Sequence, residues 1–140
     1  MFSGSSLSDI DIIRELRYGN LFIAPNPTGT THLQGASVDI YLGPILKLFV
    51  GVDVVDPRED NRKNFETYTM TDDGYLIMPG QFLLGSTIEY ISIPPYLRCR
   101  IEGVSTNGRL GLTNHKTAGF IDPGFRGTLT LELQNSLPVP

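Results

Sequence analysis

The clearest pattern in the chain is a strict alternation near its end. Leu129, Leu131 and Leu133 fall on one side of an extended backbone, and Thr128, Thr130, Glu132 and Gln134 fall on the other. This predicts a strand from Thr128 to Gln134, buried on one face. Before it, Asp122-Pro123-Gly124 is turn chemistry, because proline presets φ and glycine accepts positive φ. Elsewhere the pattern predicts one helix and several short strands. Ser8 and Asp11 form a capping-box pair, Ile10, Ile13 and Leu16 follow at near-helical spacing, and Gly19 is a stop, giving a helix over Ser8–Arg17. Leu21–Ala24 is a strand ended by Pro25 and Pro27, and a loop follows from Thr28 to Ala36.

Ser37–Leu42 alternates with Val38, Ile40 and Leu42 inward, and Ile45–Val55 is β-rich with a break at Gly51. Asp56–Lys63 reads as a solvated charged loop. Tyr75–Met78, a long run from Gln81 to Ile93 bent at Gly85, and Leu97–Glu102 are further strands, and Ser105–Leu110 is one helical turn. Many short strands separated by turns predict a mainly β sandwich or distorted barrel, in a single domain over residues 1–140.

Composition narrows the chemistry. With 15 Gly and 10 Pro in 140 residues, 40% hydrophobic and 19% charged, the chain is globular and turn-rich. A net charge of -4 argues against a nucleic-acid or membrane-surface binder. No apolar run is long enough to span a bilayer and no signal-peptide pattern opens the chain, so a cytoplasmic location is expected. The one cysteine, Cys99, falls on the apolar face of its strand and reads as a packed thiol. With one Cys and two His (His32 and His115), no Cys/His zinc set can form, and the zinc deaminase signature, the nucleophile elbow and the P-loop are missing. His115 reads as structural. Carboxylates, a serine, arginines and glycine turns remain, an inventory suited to hydrolysis of a phosphorylated ligand by a carboxylate base. By pattern alone, Glu132 is a solvated residue on a half-exposed strand.

Three segments change that reading: Glu102-Gly103-Val104-Ser105-Thr106-Asn107-Gly108-Arg109-Leu110-Gly111-Leu112, His115-Lys116-Thr117-Ala118-Gly119-Phe120-Ile121-Asp122-Pro123-Gly124-Phe125, and Thr130-Leu131-Glu132. Together with Leu7-Ser8-Asp9, Ser37-Val38-Asp39 and Pro79-Gly80-Gln81-Phe82, they resemble, in order, the dCTP deaminase branch of the dUTPase superfamily. The resemblance implies a distorted β-barrel (jelly-roll) fold of the dUTPase-like type with one N-terminal helix. It also implies a homotrimer with active sites between subunits, acting on dCTP or dUTP.

In that resemblance Glu132 matches the general base that takes a proton from the water attacking C4 of cytosine. Ser105, Arg109 and the Ala118 backbone match the groups that hold this water and stabilise the tetrahedral intermediate. Such a base works best when withdrawn from solvent, and an arginine aimed at developing charge needs no metal. Asp122 matches the contact to the deoxyribose 3′-hydroxyl and the acid that activates water for phosphate cleavage in dUTPases. Phe125 and Ile121 fall near sugar and base, and Thr106 matches a phosphate-contacting hydroxyl. Mg²⁺ is expected to bind through the triphosphate, with no zinc.

Two departures stand out. Val104 occupies a position that is usually Lys or Arg, and losing a charge-assisted phosphate contact weakens binding by about 1.5–3 kcal/mol. The sequence ends at Leu137-Pro138-Val139-Pro140, short of the family's last strands and lid. The leading expectation is dCTP deamination; Gly119 resembles the bifunctional members that continue to dUMP. Two alternatives stay open: a dUTP diphosphatase, and a catalytically weak nucleotide-binding homologue.

Overall fold

The helix forms where its cap says it should. In the computed structural model, which describes residues 6–26, 32–51 and 53–140, α1 runs Asp9–Arg17 behind a complete capping box. Ser8 Oγ accepts from the Asp11 N–H at 3.3 Å, and the Asp11 carboxylate accepts in return from the Ser8 N–H at 3.4 Å. Gly19 takes φ +71° after the last turn. The buried face is not the expected one. Ile10 is exposed, whereas Ile12 and Glu15 are buried. A carboxylate faces inward because Tyr96 donates its hydroxyl to Glu15 Oε2 at 2.6 Å.

Among the described residues eight strands follow, in the order β1 (Phe22–Ala24), β2 (Leu42–Phe49), β3 (Phe65–Thr69), β4 (Phe82–Ser92), β5 (Cys99–Arg100), β6 (Leu112–Thr113), β7 (Phe120–Ile121) and β8 (Arg126–Asn135). A second short helix, α2 (Ser105–Arg109), precedes β6. The main sheet has strand order β3-β2-β4-β8-β6, with β1 added antiparallel to β4, while β5 and β7 pair separately. The mainly β architecture with an N-terminal helix is as expected, but the sheet is open rather than closed: its order ends at β3 and β6.

The chain divides into two compact units. Unit 1 comprises Met1–Tyr41, Thr87–Arg100 and Phe120–Leu129; unit 2 comprises Leu42–Ser86, Ile101–Gly119 and Thr130–Pro140. In unit 2, Leu46, Leu83, Leu131 and Leu133 are buried. Gly85 is placed where a Cβ would meet Leu42 Cδ1 at 2.5 Å and Leu133 Cδ1 at 3.3 Å, so the close approach uses the missing side chain. In unit 1, Ile12, Leu21, Ile23, Ile91, Ile93, Ile121 and Leu129 form the apolar interior. Besides Glu15, two more polar residues are buried with them. Thr87 Oγ1 donates to the Glu89 carbonyl at 2.8 Å and accepts from the Leu129 N–H at 3.0 Å. Glu89 Oε2 accepts from the Tyr41 N–H at 3.0 Å.

Several expected strands differ. Ser37–Leu42 is no strand; the Asp39 N–H bonds to the His32 carbonyl and the Gln34 N–H to the Ser37 carbonyl, folding the segment on itself around a single Leu33–Val38 bridge. Tyr75–Met78 is held by a side chain instead of a partner strand: Gln81 accepts from the Met78 N–H and donates to the Tyr75 hydroxyl. The Ile45–Val55 run stops at Phe49 and begins earlier, at Leu42. Leu97–Glu102 shrinks to Cys99–Arg100. The Asp56–Lys63 segment is solvated as read, with Arg58 paired to Asp56, Arg62 to Asp60 and Lys63 to Glu59, but its end winds into a 3₁₀ turn at Asn61–Asn64. The expected Thr28–Ala36 loop falls in part, with Pro27, outside the described residues, as does Val52.

Two predictions follow from the buried polar groups. Thr87→Val should cost about 1–3 kcal/mol in urea unfolding, because it leaves the buried Leu129 N–H without an acceptor; Thr87→Ser should recover most of that loss. The Tyr96 hydroxyl, bonded to the Glu15 carboxylate, is raised above its ordinary pKa, chiefly by that hydrogen bond and then by desolvation and the nearby charge. A proton held more tightly in the folded state stabilises it below the unfolded value of about 10, and this is lost as pH rises through the folded value. Tyr96→Phe should therefore lower the melting temperature at pH 7, and the gap from wild type should narrow above about pH 10. A gap that stays constant into that range would refute the linkage.

Candidate functional site

The register of β8 decides where Glu132 points. Leu131 and Leu133 are buried in unit 2, so the intervening side chain must emerge on the opposite face, where it is half-buried. β6 pairs antiparallel with β8, placing Leu112 opposite Asn135 and Thr113 opposite Gln134. The chain leaving β6 continues alongside β8, and the Glu132 N–H donates to the Asn114 carbonyl at 3.1 Å. The carboxylate then closes on the same loop: Glu132 Oε2 accepts from the Lys116 N–H at 2.6 Å and from the Thr117 N–H at 3.3 Å. One residue thus ties the loop through both backbone and side chain. Farther on, the Ile101 N–H donates to the Gly119 carbonyl at 2.8 Å.

Ala118 lies within this loop, immediately after Thr117, and is exposed. Gly119 is needed for a local reason: a Cβ there would meet His115 Cδ2 at 2.7 Å and Nε2 at 2.8 Å. The His115 ring fills that space, in keeping with a structural role. Ser105 and Arg109 sit four residues apart on α2, and so on one face of it. α2 lies against β6. Ser105, Thr106 and Arg109 are all exposed, and no hydrogen bond joins Ser105 or Arg109 to Glu132 among the described residues. The structure therefore brings Glu132 and the Ala118 loop together directly, and carries Ser105, Thr106 and Arg109 on a helix of the same unit. The Lys116 and Thr117 backbone amides had no signal in the sequence, because a backbone donor is the same for every non-proline residue.

The remaining candidates belong to unit 1. Asp122, Pro123, Gly124 and Phe125 make a turn in which the Phe125 N–H donates to the Asp122 carbonyl at 3.1 Å and Gly124 adopts φ +82°. The turn is fastened to Ile93, whose N–H donates to the Phe125 carbonyl and whose carbonyl accepts from the Gly124 N–H. The Asp122 side chain is exposed, Phe125 is half-buried and Ile121 is buried. Ile121 stands opposite Cys99, a half-buried thiol whose pKa is pushed up by burial, so it stays protonated as a packed residue would. Among the described residues no group of three or more His, Cys, Asp or Glu side chains is gathered to hold a metal ion. No described helix is long and apolar enough to cross a membrane.

The chain is similar to known proteins along most of its length. The dCTP deaminase-like family model matches residues 6–140. A protein of Methanothermobacter thermautotrophicus named "dCTP deaminase, dUMP-forming" is 41% identical over 138 residues, spanning 96% of this chain and 70% of its own length. Proteins of the same name from Leifsonia xyli and Halobacterium salinarum are each 43% identical, covering 96% of this chain and 67% and 71% of theirs. The crystal structure of 2′-deoxycytidine 5′-triphosphate deaminase from Agrobacterium tumefaciens shares the fold, with a TM-score of 0.71 at 19% identity over 93% of this chain and 41% of that one. From the matched length and these identities, the chain belongs to the dCTP deaminase-like family.

Proposed function

We propose that the protein deaminates dCTP hydrolytically, with Glu132 as the general base. The observation that carries this reading is the Glu132 carboxylate itself. Its Oε2 is held by two backbone N–H groups of the loop that contains Ala118, while Oε1 makes no hydrogen bond among the described residues and is left to meet a water. In this scheme Glu132 takes a proton from that water as its oxygen bonds to C4 of the cytosine ring. One proton of the water passes to the leaving amino group and the other ends on N3; the C4–N bond to that amino group breaks, and ammonia departs, leaving uracil. Ser105 and the Ala118 carbonyl orient the water, and Arg109 stabilises charge developing in the tetrahedral intermediate.

Asp122 takes the deoxyribose 3′-hydroxyl, Phe125 and Ile121 shape the sugar and base subsite, and Thr106 supplies a hydroxyl to phosphate. Mg²⁺ arrives on the triphosphate. The relatives named dUMP-forming support a second step, in which a water activated by Asp122 attacks the α-phosphorus and releases diphosphate. The active assembly is a homotrimer whose sites draw on more than one subunit.

Incubation with Mg²⁺ and either dCTP or dUTP, with products separated by chromatography, tests the reading. dUMP from dCTP is expected; dUMP from dUTP alone would make the protein a diphosphatase, and binding without turnover would make it a non-catalytic homologue. Glu132→Gln should lower dCTP turnover by at least about 100-fold while the melting temperature holds, because the amide oxygen can still accept from Lys116 and Thr117. Full turnover in that variant would remove Glu132 from the role. Light scattering of the active protein should give three times the chain mass, and an active monomer would overturn the shared site.

A further inference from the structure

Helix α2 carries Ser105, Thr106 and Arg109, yet little in its own sequence holds it in place. It has five residues, none of them buried, and its N-cap, Val104, makes no side-chain capping bond. A helix that short is not stable by itself in water, so its position is set by what grips its ends. The grip is at the C-terminal end. Leu110 caps α2, Gly111 follows at φ +74°, and the Gly111 carbonyl accepts from the Ser136 N–H at 2.8 Å. A Cβ on Gly111 would meet Leu137 Cγ at 2.6 Å and Cδ2 at 3.1 Å, so the Leu137 side chain occupies the space that the glycine leaves.

Leu137 is in turn held by one buried amide. Asn135 accepts through Oδ1 from the Leu137 N–H at 2.8 Å. Its Nδ2 donates to the Val139 carbonyl at 2.7 Å and to the Ile77 carbonyl at 2.9 Å. Its backbone stands opposite Leu112, the first residue of β6, and its carbonyl accepts from the Gly80 N–H at 2.9 Å. Pro138 and Pro140 keep Leu137 and Val139 out of helical backbone, so this segment loses less entropy when it is seated. All of these residues belong to unit 2. Asn135 follows Glu132 by three residues on β8 and is buried on the face of Leu131 and Leu133, opposite Glu132. One strand therefore presents the carboxylate on one face and, on the other, the side chain that secures the helix carrying Ser105 and Arg109.

We propose that Asn135 and Leu137 are positioning residues for deamination: they seat the C-terminal end of α2 and so hold Arg109 in register with Glu132. Both act through α2. The catalytic consequence rests on the deaminase reading; the seat itself rests on the contacts within unit 2. An arginine that meets charge developing in the transition state is sensitive to small displacements, since a misplacement of about 1 Å can slow a reaction by about 100-fold. Its loss lowers kcat and kcat/KM together. A pair that only stabilised the fold would lower the melting temperature and leave turnover per folded molecule unchanged.

Leu137 is 39% exposed, so truncating it removes the seat without opening the core. Leu137→Ala should lower kcat for dCTP by at least about tenfold and change KM by less than about twofold. Leu137→Met, which keeps the bulk, should restore most of that turnover. In an Arg109→Ala background, Leu137→Ala should add little further loss, because the two changes remove one interaction. Asn135→Asp, which loses the donors to Val139 and Ile77, should behave like Leu137→Ala and carries the same test where that variant fails to fold. Amide hydrogen exchange reads the seat without any turnover. The Gly108, Leu110 and Gly111 amides should exchange at least about tenfold faster in Leu137→Ala, with those of Leu131 and Leu133 unchanged. Faster α2 exchange together with no dCTP turnover by wild type would sustain the seat and sink the deaminase reading. Unchanged α2 exchange, wild-type kcat in Leu137→Ala, or a fully additive loss on top of Arg109→Ala would overturn the positioning role and leave the deaminase reading standing.

Discussion

The grip of the Lys116 and Thr117 amides on Glu132 is the interaction on which the candidate site depends. Its origin is a packing constraint. Leu131 and Leu133 are buried, so β8 has one register in which its apolar face is satisfied, and a slip of one residue would send Glu132 into the interior. Once the register is set, the carboxylate faces the strand-to-loop passage that begins at Asn114. Hydrogen bonds to a charged acceptor contribute about 1.5–3 kcal/mol each when well made, enough to hold a short loop against its conformational entropy. The side chain proposed as the base thus also holds the loop that carries Ala118. Gly119 completes the arrangement by making room for the His115 ring.

In unit 1, polar groups are buried along the inward faces of its elements. Glu15, Thr87 and Glu89 all occupy positions that the apolar pattern would give to aliphatic residues. Each is satisfied from outside its own element: Glu15 by Tyr96, Thr87 by the Leu129 amide, Glu89 by the Tyr41 amide. Such groups add little net stability compared with an apolar residue of similar shape, but losing one partner is costly. They specify which segments meet. That matters in a chain whose strands are short and whose alternation is often weak.

This explains how much the sequence disclosed. α1, β4, α2 and β8 were legible because each carries a local signal: a capping box, a long alternating run, a helical turn, a strict leucine period. β6 and β7 are two residues long and exist only through their partners, so no window of sequence could show them. β3, Phe65–Thr69, has no apolar side to its alternation because it is an edge strand with β2 as its one neighbour in the sheet order. Ser37–Leu42 and Tyr75–Met78 alternate well but have their polar groups taken by turns and by Gln81, a competition that strand propensity does not register. At the site, the candidate side chains were legible through resemblance. The clamp on Glu132 was not, since its donors are main-chain atoms of Lys116 and Thr117.

The electrostatics close the account. Net negative charge argues against binding a polyanion only if the charges are spread evenly, and here they are not. In the loop from Asp56 to Lys63, three cations are matched to three carboxylates within a few residues, so that loop is nearly neutral toward an approaching ligand. At about 0.15 M salt the Debye length is about 8 Å, and what a ligand senses is the local surface. On the ribbon of β5 and β7, Arg98 and Arg100 both stack on the Phe120 ring. Net charge alone therefore does not describe the surface that any one ligand would meet.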